Sequence, residues 1–166
     1  IFENLNTVDA AQVEPFYHDL TNAGVIIPSG EGRSKGAISI ACSELAKMSY
    51  GKRVLDRGDI GFPATDMALA APILRRKYGQ VCLLINSSSG KSLTPLLDAQ
   101  KLGIYLENTG QSRDFRIDLI TSDAESPMGK LSAKYGNMIV LKSREEADTL
   151  IESKEFKSYG ILEDMF

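Results

Sequence analysis

The sequence predicts a doubly wound α/β fold, and three observations carry that expectation. Short apolar, β-branched runs alternate with helix-period patterns five times along the chain. The strongest run, residues 80–86 (QVCLLIN), is apolar at successive positions, as a central parallel strand covered on both faces must be. The composition, 43% hydrophobic and 25% charged over 166 residues, is that of one globular domain with a full core.

Taken in order, residues 1–22 read as a helical arm, and residues 24–28 (GVIIP) as the first strand. The turn after it is 29–36 (SGEGRSKG), and it runs into a helix expected over 35–49. There Ala37, Ile38, Ala41, Leu45 and Met48 recur at three- and four-residue spacing and mark one buried face. Residues 52–56 (KRVLD) make a short second strand. Asp66 caps the next helix, which Pro72 is expected to kink or split. Strand three, 80–86, is followed by a long helix from Ser92 to Asn108, with Pro95 in its first turn and Gly110 as its stop. Residues 115–120 (FRIDLI) are strand four, Ser126 and Pro127 open a helix ending at Gly136, and 137–141 (NMIVL) are strand five. Ser143 and Glu146 form a capping box for a last helix.

Five strands alternating with helices imply parallel pairing through crossovers, and the expected arrangement is the flavodoxin-like order 2-1-3-4-5. No linker or internal repeat divides the chain, so residues 1–166 read as a single domain. Its acidic C-terminal helix spans 143–166 and is read as open to truncation at Phe166.

Charge and composition exclude several functions. The net charge is −3, and residues 143–166 alone carry seven acidic against three basic side chains, a net of −4. Neither a nucleic acid nor an anionic membrane is therefore the expected partner. No apolar run reaches membrane-spanning length, and the first 20 residues hold four acids and no signal-peptide core. Cys42 and Cys82 lie in apolar surroundings and read as small buried hydrophobes of a reducing, cytoplasmic compartment. The single histidine, His18, rules out a His-based zinc cluster, so no metal is expected.

In a sheet of order 2-1-3-4-5 ligands bind beyond the carboxyl ends of strands one and three, where the order reverses. Both turns at that point have the same chemistry. The first holds Gly30, Gly32, Arg33 and Ser34; the second, 86–92 (NSSSGKS), holds Ser87, Ser88, Ser89 and Ser92. Glycines admit close backbone approach, hydroxyls donate hydrogen bonds, and a helix N-terminus favours an anion. Two better-known phosphate motifs fail on spacing: the dinucleotide fingerprint meets Lys35 where its third small residue belongs, and a P-loop would need glycine at Ile85. A serine hydrolase is set aside for want of G-x-S-x-G.

These residues resemble the sugar isomerase (SIS) domain of phosphosugar isomerases and phosphosugar-sensing regulators. The G-x-G-x-S turn matches Gly30, Gly32 and Ser34, and S-x-S-G-x-[ST] matches Ser87, Ser89, Gly90 and Ser92. A third stretch matches Thr121 and Ser122 and then Ser126 to Leu131, so the similarity extends over about residues 24–142. The Gly32-Arg33-Ser34 triplet is most similar to short 6-phospho-3-hexuloisomerases. The resemblance implies that Ser87, Ser89 and Ser92 with the Ser88 N–H bind the phosphate of a sugar phosphate, opposite Ser34. It further implies Arg33, Thr121 and Ser122 as additional ligand contacts, and a homodimer or homotetramer with sites near subunit interfaces.

Two departures matter. Residues 57–63 (RGDIGFP) match nothing in the family, and 160–164 (GILED) are only loosely similar to the helix that carries the family's proposed catalytic glutamate. Isomerisation through an enediol needs a base and no cofactor. The candidates are His18, Glu31, Asp59 and Asp164, with no single one selected. The alternative is a non-catalytic phosphosugar sensor, which here lacks any basic helix-turn-helix.

Overall fold

Strand side chains alternate between two apolar layers, and that alternation builds the architecture. A computed structural model describes residues 10–48, 53–55 and 66–141. The elements are α1 (Ala10–Asn22), β1 (Val25–Gly30), α2 (Gly32–Met48), β2 (Arg53–Val54), α3 (Met67–Tyr78), β3 (Val81–Asn86), α4 (Leu93–Thr109), β4 (Phe115–Thr121), α5 (Pro127–Tyr135) and β5 (Met138–Val140). All neighbouring strands are parallel, in the order β2-β1-β3-β4-β5. This is the expected doubly wound sheet.

Val25 and Ile27, Val81, Leu83 and Ile85, and Phe115, Ile117 and Leu119 point to one face, where α3, α4 and α5 supply Leu74, Leu102, Leu106 and Met128. Ile26, Cys82 and Leu84 point to the other, against Phe16 and Leu20 of α1 and Ile38 and Cys42 of α2. Both cysteines are buried, as their surroundings suggested.

The caps fall where the residue types put them. Asp66 accepts the N–H groups of Ala68 and Leu69, Ser126 accepts that of Gly129, and Gly110 ends α4 with φ +67°.

Three expectations need correction. Strand β1 does not stop at Pro28: Ser29 and Gly30 continue it, paired with Ile85 and Asn86. Pro28 is tolerated because its position faces the same side as the Ile26 carbonyl, which takes the Leu55 N–H, the last hydrogen bond described on that side. Helix α3 is not split at Pro72, whose ring lies on the exposed side, so one carbonyl loses a partner where water can replace it. The buried stripe of α2 is Ile38, Cys42 and partly Leu45, while Ala37 and Ala41 are exposed. The 57–63 segment, Asp59, Asp164 and the C-terminal helix over 143–166 lie outside the described residues.

Candidate functional site

The register of β1 on β3 positions the site. Gly30 pairs with Asn86, so the two strands end level. The chain then leaves β1 for α2 on one face and β3 for α4 on the other, and the two turns part over a crevice. Gly30 fits tightly at its position, since a Cβ there would lie 3.0 Å from the Lys35 backbone N and 3.1 Å from the Asn86 carbonyl. Only Glu31 then separates strand from helix, and Gly32 makes the reversal with φ +54°. The first turn is thus far shorter than expected, and Ser34 stands in the first turn of α2. The Asn86 amide Nδ2 donates to the Ser34 carbonyl at 3.3 Å and ties this helix to β3.

The second turn is anchored from below. Ser87 is buried, its N–H donates to the Ile120 carbonyl (3.0 Å), and its hydroxyl shares a 3.1 Å hydrogen bond with that of Ser92. Ser88 and Ser89 are exposed. The Ser88 carbonyl accepts the Ser122 N–H (2.9 Å) and the Thr121 hydroxyl (3.1 Å). The Ser89 hydroxyl accepts the Lys91 N–H at 3.3 Å. Gly90 (φ +60°) closes the turn against Ser126, the cap of α5. Thr121, expected among ligand contacts, is buried, and its hydroxyl also accepts the Asp123 N–H, so its place is that of a strut beneath Ser88. Ser122 and Arg33 are exposed at the rim.

Glu31 spans the crevice. Its Oε1 accepts the Thr94 N–H at 2.8 Å at the start of α4, and this bond holds the carboxyl below its ordinary value. Two residues earlier Ser29 donates to Asp98 of α4 at 3.0 Å, with both side chains buried. His18 is far from all of this. It pairs with Asn22, and the adjacent Asp19 accepts from Arg116, the second residue of β4, which places this end of α1 by the amino ends of the strands. Surface hollows lie at those amino ends too: one of about 610 Å³ beside Ile73, Gly79 and Asp114, another of about 360 Å³ beside Arg116 and Asn137. Among the described residues the serine turns form a cradle of donors at the carboxyl ends of the strands.

The links that hold the site, Ser29 to Asp98, Asn86 to Ser34 and Gly90 against Ser126, were not anticipated. Each joins residues 36 or more apart in sequence, and no local pattern signals it.

No family model matches the chain, and no curated protein matches it. Solved structures do share its fold. The Vibrio vulnificus NanR protein complexed with ManNAc-6P aligns with a TM-score of 0.60 at 19% identity, over 95% of this chain and 60% of that one. A hypothetical protein aligns at 0.56 and 18% identity, over 90% and 70%. A candidate phosphosugar isomerase involved in capsule formation from Bacteroides fragilis aligns at 0.52 and 12% identity, over 84% and 66%. The likeness shows a shared doubly wound α/β fold, and the chain spans 60–70% of the length of these structures.

Proposed function

We propose that this chain binds a sugar phosphate and isomerises it between aldose and ketose forms. The observation that carries the reading is the level ending of β1 and β3, with Gly30 opposite Asn86, which sets two Gly/Ser turns and two helix N-termini around one crevice. Ser87, Ser89 and Ser92, with the Ser88 N–H, take the phosphate; Gly30, Gly32 and Ser34 form the facing wall; Arg33 and Ser122 make rim contacts. Hydroxyl and amide donors suit a phosphate dianion without a metal. The ManNAc-6P complex of NanR, which has the same fold, supports this ligand class.

Isomerisation moves a proton between adjacent carbons through an enediol and asks for a base and no cofactor. His18 lies at the wrong end of the sheet, and Glu31 is a weakened base held by Thr94. The candidates for the base are therefore Asp59, Asp164 or a second subunit of a homodimer or homotetramer, with Glu31 joining them only once a ligand has displaced it from Thr94. The similarity of Gly32-Arg33-Ser34 to 6-phospho-3-hexuloisomerases makes hexulose 6-phosphates the first substrates to try. The fold shared with NanR favours one second reading, a sensor that binds without turnover.

Solvent deuterium separates the two. An isomerase carries deuterium into the carbon next to the carbonyl of a pentose or hexose phosphate, followed by NMR. Tight binding without exchange across the panel would leave the sensor.

A further inference from the structure

The β1–α2 turn is tethered to α4 twice, and the two tethers differ in kind. Ser29 to Asp98 is buried and belongs to the packed interior. Glu31 to Thr94 is exposed and crosses the crevice between the two turns. It also fills a role that the local sequence assigns to another residue. Ser92 is the N-cap of α4, yet its side chain makes no cap hydrogen bond and turns to Ser87 instead. The Thr94 N–H, one of the donors such a cap would serve, is left to a carboxylate from the other side of the site. Gly30 leaves little room for a side chain, and only one residue separates β1 from α2, so the backbone delivers Glu31 to this place.

We propose that Glu31 is an internal anion of the phosphate site, which competes with the ligand's phosphate for the N-terminus of α4 and must withdraw from Thr94 when a phosphosugar binds. The inference rests on the phosphosugar reading above and adds to it a residue that sets affinity. A carboxylate held at the end of a helix by its N–H donors is favoured by the same field that favours phosphate, and the two anions repel when both are present. Because the Thr94 N–H keeps Glu31 ionised, the competition persists at neutral pH. It weakens with salt, as interactions between exposed charges do.

The test uses the full chain with inorganic phosphate and fructose 6-phosphate as probes, by calorimetry at low and high salt, on wild type, E31Q and E31A. E31Q keeps the size of the side chain and an acceptor for Thr94 but removes the charge. Both variants should bind phosphate about two- to fivefold more tightly than wild type at low salt, with the gain shrinking at high salt. The Thr94 amide resonance should shift on phosphate addition in wild type, because its acceptor changes. Binding by E31Q that equals or falls below that of wild type, with an unaltered melting temperature, would overturn the inference and leave the phosphosugar reading intact. Absence of binding in all three proteins would overturn that reading, and the inference with it.

Discussion

Replacing Gly90 with alanine tests how the serine turn is held. Gly90 has φ +60°, a conformation that costs a residue with a Cβ about 1–2 kcal/mol. The new methyl would lie 1.9 Å from Ser126 Oγ and 2.4 Å from Ser126 Cβ. Ser126 cannot step aside freely, because it is 2% exposed and its hydroxyl accepts the Gly129 N–H at 3.1 Å to cap α5. Displacing it gives up the cap, about 1 kcal/mol, and overpacks the junction by about 1–3 kcal/mol. The sum is roughly 4 kcal/mol, which for a chain of this length lowers Tm by about 8–16 °C. Thermal melts followed by circular dichroism measure it. The cause is isolated by S126G, which removes both atoms the methyl would strike: the double variant should be at least 1 kcal/mol more stable than the two single costs would add up to, by roughly the overpacking relieved. Strictly additive costs, or a G90A melt within about 2 °C of wild type, would refute the interlock of the serine turn with α5.

Three further outcomes follow from the same structure. S89A removes one exposed donor and should weaken a sugar phosphate by about 1–2 kcal/mol in calorimetry while leaving the melting temperature near that of wild type. Asp118 is buried beneath α1, and burial, more than the nearby Asp19, pushes its carboxyl up to about 7 although it accepts the Asn137 N–H. Its folded value lies above the unfolded value of about 4, so the stability it contributes is full below that pH and is lost as pH rises through 7. D118N should therefore gain on wild type in urea melts between pH 5 and pH 8, and parallel pH profiles would contradict this. Burial raises the Cys42 thiol to about 11 and pushes Cys82 well above its ordinary value, so neither should react with a thiol reagent in native protein at neutral pH and both should react in urea. Stoichiometric labelling of the folded chain would count against the packing of α1 and α2 on the sheet.

What was legible in the sequence followed from short-range physics. Apolar runs marked the strands, and Asp66, Ser126 and Gly110 marked helix ends because capping is a matter of a few residues. The composition of 29–36 and 86–92 located the two turns, since glycine and serine have few other uses at such positions. The misreadings come from partners distant in sequence. Ser29 and Gly30 look like the start of a turn, but pairing with β3 and the buried Asp98 carries the strand two residues beyond Pro28. Ala37 and Ala41 have the period of a buried face, yet small side chains specify a stripe weakly, and Ile38 and Cys42 decide which way α2 turns. Glu31 looks like any loop carboxylate until α4 is seen beside it.

The proposed function stands or falls with the turns after β1 and β3 holding the phosphate of a phosphosugar. An amide-resolved NMR titration with fructose 6-phosphate, run beside fructose itself, tests it most directly. Saturable shifts confined to the neighbourhoods of 30–34, 87–94 and 122 are expected with the phosphate ester, and none with the neutral sugar. Equal responses to both sugars, or shifts clustered at the amino ends of the strands around Gly79 and Arg116, would contradict it.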